Sequence, residues 1–245
     1  MGSQSWHRGL LVGFDLETTG TDPAEARIVS AAVVEVKAGE TASRREWLVD
    51  PGVPIPADAA RIHGITDDRA RAAGHPPAAV LEELAQLIAA HWSEGTPVVA
   101  FNAVFDLTLL SAELARHGLA SLEERRAGRP VGPVLDPMTI DRAVDKYRRG
   151  SRTLTACCKE YGVALDHAHA AGADALAAVL LLEAIAERHG GVAELTAEQL
   201  HEQQVDWYAE WARGYQEWLR RGKAPDAVVD ASWPLRPAPT GAGAA

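Results

Sequence analysis

Aromatic residues, cysteines and long apolar runs are all scarce in this chain, and each shortage argues against a class of protein. Of 245 residues only 6% are aromatic and 2 are cysteine. The cysteines, Cys157 and Cys158, are neighbours, which suits neither disulfide geometry nor the spaced ligands of a zinc site. Both are therefore read as reduced thiols on a helix. No apolar run reaches the roughly eighteen residues that a membrane-spanning helix needs. The first residues, Met1 to Leu10, lack the basic then apolar order of a secretory leader, so a soluble, cytoplasmic protein with no membrane partner is expected.

Positive charge is short as well: 24 Lys and Arg stand against 34 Asp and Glu, for a formal net charge of −10. Non-specific affinity for nucleic acid comes mainly from basic surface, so the balance argues against broad wrapping of a duplex. It leaves room for an enzyme that holds only a strand end, where divalent cations neutralise both its carboxylates and the phosphate. One locally basic stretch breaks the pattern, comprising Lys146, Arg148, Arg149, Arg152 and Lys159. It reads either as a solvated face or as a track for phosphates.

What the chain does have is 47% apolar residues, enough for one substantial core. Leu10 to Leu16, Ile28 to Val36 and Trp47 to Val49 read as three strands of an antiparallel meander. The period then changes. Val80 to Trp92 places Leu81, Leu84, Leu87 and Ile88 on one helical face. Short buried strands follow at Val98 to Phe101 and Val134 to Asp136, with helices at Leu107 to His117, Thr139 to Tyr147, Thr153 to Tyr161, Ala173 to Arg188 and Thr196 to Arg221. Strands followed by alternating helices and strands predict an α/β fold, a mixed sheet flanked by helices. From Gly222 onward Pro, Gly and Ala dominate, and a disordered tail is expected.

The acidic residues carry the chemistry. Asp15 and Glu17 lie two apart at the end of an apolar strand, so their side chains share a face. Like charges that close raise each other's pKa unless a cation sits between them. Asp106 follows a second buried strand and Asp174 opens a helix; either could join the first pair, and either could simply complement a helix dipole. His169 precedes Asp174 by five positions, with Gly172 between, and an imidazole there can accept a proton from water. His167 competes for that role.

Phe14-Asp15-Leu16-Glu17-Thr18-Thr19-Gly20, Asn102-Ala103-Val104-Phe105-Asp106 and His169-Ala170-Ala171-Gly172-Ala173-Asp174-Ala175, with Ile62-His63-Gly64-Ile65-Thr66 between the first two, resemble the motifs of the DEDDh branch of the DnaQ-like exonucleases. The resemblance spans roughly residues 9–189 and selects His169 over His167. It implies a ribonuclease H-like fold and 3′ to 5′ exonucleolytic release of nucleoside 5′-monophosphates with two divalent ions, Mg²⁺ or Mn²⁺. By resemblance Asp15, Glu17 and Asp174 hold the tighter ion, and Asp15 serves the second with Asp106 nearby. His169 is then the general base, while Thr18, His63, Asn102 and Phe105 embrace the terminal nucleotide. Arg27 and Ser30 depart from the acidic residues common in the family, and no clamp-binding peptide is evident near the C-terminus.

The implied partner is the 3′ end of a nucleic acid, DNA favoured over RNA. The same motifs serve RNA-directed relatives, and a non-catalytic binding module is the more distant alternative. Residues 9–189 are expected as the exonuclease domain, 190–221 as a helical extension and 222–245 as the tail. Trp207, Trp211 and Trp218 line one face of the extension, where they either pack back on the domain or receive a protein partner.

Overall fold

The computed structural model describes residues 6–166, 168–222 and 224–237. A 3₁₀ turn at Trp6–Arg8 leads into β1 (Leu10–Thr18), β2 (Ile28–Lys37) and β3 (Glu40–Leu48). Three helices follow, α1 (Ala57–His63), α2 (Asp67–Ala73) and α3 (Pro77–Ser93), then β4 (Val98–Val99), α4 (Ala103–Arg116), α5 (Leu122–Arg125) and β5 (Val134–Leu135). The chain continues through α6 (Pro137–Val144), α7 (Leu154–Tyr161), α8 (Ala171–Arg188), α9 (Gly190–Ala193) and α10 (Ala197–Arg221). The five strands form one mixed sheet in the order β3-β2-β1-β4-β5, antiparallel across the first three and parallel from β1 to β5.

Strand alternation divides the core in two. Val12, Phe14 and Leu16 of β1, with Ala31 and Val33 of β2, pack against α3 and α4 on one face. Leu11 of β1 and Ala32, Val34 and Val36 of β2 pack against α7 and α8 on the other. Gly13 shares the second face, and a Cβ there would stand 2.4 Å from the Ala175 carbonyl oxygen. Only glycine lets α8 lie this close to β1, and the same face of β1 continues to Asp15 and Glu17. Cys157 and Cys158 are buried free thiols of α7, as expected.

Several boundaries differ from the sequence expectation. β3 runs from Glu40 rather than Trp47, because its first residues, mostly exposed and rich in charge, form a sheet edge that shows no apolar alternation. The helices α1 and α2 bury almost nothing and are bounded by backbone and cap chemistry instead. Gly64 takes a left-handed conformation after α1, and the Thr66 side chain accepts from Arg69 N–H at the start of α2. The polar segment after Ser121 is a helix closed by a capping box between Ser121 and Glu124.

The basic stretch is largely spent on the fold. Arg148 and Arg152 both turn inward to the fully buried carboxylate of Asp141, and Lys146 pairs with Glu210. Three of the five basic residues are thus committed to carboxylates, the Lys146 pair lying exposed on the surface.

The expectation of disorder from residue 222 fails over 224–237. The Trp233 ring is 6% exposed, joins the core with the α3 and α4 residues, and lies 5.2 Å from the His201 ring. Arg236 N–H donates to the Thr108 hydroxyl, and Val229 N–H to the Gln216 side chain. One large aromatic anchors a segment whose average composition gives no hint of it.

Candidate active site

Three carboxylates meet where β1 ends beside the start of α8. One oxygen from each of Asp15, Glu17 and Asp174 lies within 4.8 Å of the others. Asp15 and Glu17 arrive together because they share a strand face, and Asp174 reaches them from the first turn of α8. Gly172, two residues before Asp174, is less constrained than Gly13: a Cβ there would meet only the ends of the Arg44 and Glu46 side chains of β3, which are half-exposed and can move aside. The backbone approach at Gly13 thus sets the height at which α8 delivers its acid.

Asp106 stands beside the trio from the opposite face of the sheet. It is 4% exposed, and one of its oxygens accepts the Leu16 N–H at 3.2 Å. β4 pairs with β1 only at Val12 and Gly13, so the Leu16 amide lacks a strand partner and Asp106 supplies one. The chain turns into α4 at Asn102, whose φ of 66° is left-handed. Asn102 and Phe105 precede Asp106 by four and one positions, and Phe105 is half-buried against the core.

The cluster is electrostatically costly. Burial first, then repulsion from Asp106, Glu17 and Asp174, pushes Asp15 well above the usual carboxylate range. Burial and the Asp174 charge push Glu17 up to about 8. Asp106 and Asp174 are raised mainly by burial, each partly offset by a backbone N–H, from Leu16 and His169 respectively. One buried oxygen of Asp174 has no hydrogen-bond partner. Hard oxygen donors, mutual repulsion and an unsatisfied buried oxygen fit a divalent cation such as Mg²⁺ or Mn²⁺.

His169 sits on the turn just before α8, in left-handed conformation with φ 68°, and its N–H donates to Asp174 at 3.2 Å. His63, at the end of α1, accepts the Ile65 N–H on Nδ1 at 3.1 Å and leaves its buried Nε2 without a hydrogen bond. Burial lowers the His63 pKa, the Thr18 backbone opposes this, and His169 lowers it further, so the three residues share one rim of the site. His167 lies outside the described residues. All nine residues singled out from the sequence thus border this one region or the turn leading to Asp106.

Asp136 was not singled out and is part of the same construction. It is fully buried, its Oδ1 accepts from Asn102 N–H and Met138 N–H, both at 2.9 Å, and its Oδ2 accepts from the Thr139 hydroxyl at 2.8 Å. It thereby pins the left-handed turn that aims α4. The only signal in the sequence is an Asp directly before Pro137, a pattern that reads as an ordinary helix N-cap.

The family model for the RNase_T exonucleases matches residues 12–182, a segment that includes all four carboxylates and His169. The chain belongs to this exonuclease family. The PolC-type DNA polymerase III of Streptococcus thermophilus is 32% identical over 185 residues, which is 73% of this chain and 12% of the polymerase. That of Lacticaseibacillus paracasei is 31% identical over 174 residues, 71% of this chain and 11% of the polymerase. Among known structures, E. coli exonuclease I in complex with a dA16 oligonucleotide superposes with a TM-score of 0.65 at 21% identity, covering 76% of this chain and 42% of that one. Exonuclease I of Methylocaldum szegediense gives 0.65 at 22% identity over 83% of this chain and 46% of that one. At such identities the structural likeness speaks for the fold, a ribonuclease H-like sheet with flanking helices. The exonuclease relatives are thus longer proteins, of which this chain matches a minor part.

Proposed function

We propose that this chain is a DEDDh-type 3′ to 5′ exonuclease acting on single-stranded or frayed DNA ends and releasing nucleoside 5′-monophosphates. The observation that carries this reading is the convergence of Asp15, Glu17 and Asp174 within 4.8 Å, with Asp106 beside them. Asp15, Glu17 and Asp174 would hold one divalent cation and Asp15 a second, near Asp106. When bound, such ions neutralise the cluster, polarise the scissile phosphate and lower the pKa of the attacking water.

The remaining work falls to protein groups. His169 accepts the proton of the attacking water, and its N–H bond to Asp174 ties the turn that carries it to the cluster. Asn102, Phe105, His63 and the Thr18 backbone receive the terminal nucleotide, with His63 held against that backbone. Similarity to a DNA polymerase III and to an exonuclease I that binds a dA16 oligonucleotide supports DNA rather than RNA as the substrate. Incubating matched 5′-labelled DNA and RNA single strands with the protein and Mg²⁺ tests this. A ladder shortening from the 3′ end, faster on DNA and abolished by EDTA, is expected. Cleavage from the 5′ end, or no cleavage of either strand, contradicts it.

A further inference from the structure

A groove of about 720 Å³ separates α6 from the outer half of α10, within the size range of pockets that take a nucleotide-sized ligand. Its floor is aromatic. Along α10 the rings of Trp211 and Tyr215 stack at 5.4 Å and 11°, and those of Tyr215 and Trp218 at 5.7 Å and 13°. The guanidinium of Arg142 caps the ladder, 4.1 Å from the Trp211 ring. The ladder runs past the groove's lining at Tyr215, which is 40% exposed, to Trp218 just outside it, which is 63% exposed.

The charge of the groove opposes that of the chain. Arg142, Lys146, Arg152 and Arg213 line it against two carboxylates, Glu210 and Glu217, while the whole chain carries −10. Lys146 and Arg152 are engaged with Glu210 and Asp141, whereas Arg142 and Arg213 form no ion pair among the described residues. Arg142 and Tyr215 cover the Trp211 ring, and Trp211 and Trp218 cover that of Tyr215, so the ladder's open face is the outer side of Trp218. An open aromatic face at the end of a cationic groove is the chemistry that holds single-stranded nucleic acid, with the ring for a base and the cations for phosphates. A protein partner selected by an apolar face alone would have no use for the cations.

The groove also connects to the site. Thr139 lines it, and through its bond to Asp136 it is two hydrogen bonds from the backbone of Asn102. We propose that this groove is a second nucleotide-binding site, which stacks a base of a single strand upstream of the 3′ end held at Asp15 and Asp174. The location along the strand rests on the exonuclease reading; the stacking chemistry does not.

Binding of 5′-labelled oligothymidylate to the full chain in EDTA, followed by anisotropy, separates the two. Trp218→Ala and Tyr215→Ala should each weaken a dodecamer about five- to hundredfold and leave a trinucleotide unaffected. Equal dodecamer affinity for wild type and both variants overturns the proposal. So does a dimer in sedimentation that Trp218→Ala abolishes, since the face would then belong to a second copy of the chain. If wild type with Mg²⁺ releases no nucleotide while Trp218→Ala still loses the dodecamer, the exonuclease reading fails and the groove stands as a strand-binding site.

Discussion

Gly13 is where a single atom decides whether the site assembles. Any side chain there drives a Cβ into the backbone of α8 at Ala175, the residue next to Asp174. A backbone carbonyl cannot rotate away, so Gly13→Ala must push the helix off the sheet. We expect a loss of about 1–3 kcal/mol in denaturant unfolding, together with a fall in activity larger than the unfolded fraction explains. Wild-type stability and activity in this variant would show that α8 tolerates displacement. Asp15 and Glu17 were legible in the sequence because their spacing on a strand puts them on one face, whereas Asp106 and Asp174 could equally have served helix dipoles and were brought in by the family resemblance. Gly13 and Asp136 were not legible, because their importance lies in contacts with residues far along the chain, at Ala175 and Asn102.

Among the elements, α10 does more than pack. It covers the free edge of β5, where Gln204 donates to the Val134 carbonyl and accepts the Asp136 N–H at 2.7 Å, and His201 Nδ1 accepts the Val134 N–H at 3.1 Å. A side-chain amide thus stands in for the next strand. Burial lowers the His201 pKa, consistent with a neutral ring whose Nδ1 accepts. Gln204→Leu keeps the size but leaves the Asp136 N–H unpaired, and should cost about 1–3 kcal/mol and speed hydrogen exchange at Asp136. Unchanged exchange would mean that this edge has another cover. Periodicity revealed α10 as a helix with a Trp-bearing face. It could not show that the buried stripe runs through Leu200, Gln204, Tyr208 and Ala212, leaving Trp218 outside.

For the whole molecule, the segment 224–237 and the acidic cluster set the balance of stability. Trp233 is buried among residues of α3 and α4, so ending the chain at Gly222 removes part of the core rather than a loose tail. Such a truncation should lower stability by about 3–5 kcal/mol, as loss of a buried Trp does, measured by urea unfolding. An unchanged midpoint would place Trp233 outside the cooperative core. Composition misjudged this segment because disorder is an average property and anchoring depends on one residue. The mixed sheet, by contrast, was legible from the order of its elements, since the apolar runs of β1, β2, β4 and β5 each end at turn or helix-start residues. The charged edge of β3 and the short helices α1, α2 and α5 lacked such a pattern.

The central claim is that the carboxylates repel until a cation joins them. Glu17 gives it a measurable sign. Between pH 4.5 and about 8 the folded, metal-free protein keeps a proton on Glu17 that the unfolded chain has released, so this group's contribution to stability is lost as pH rises through that window. The decisive measurement is the denaturation midpoint across that range for wild type and Glu17→Gln, with EDTA and with Mg²⁺. The account predicts that wild type loses stability relative to Glu17→Gln as pH rises in EDTA and recovers it in Mg²⁺. Parallel profiles for the two proteins, unmoved by the metal, would contradict it.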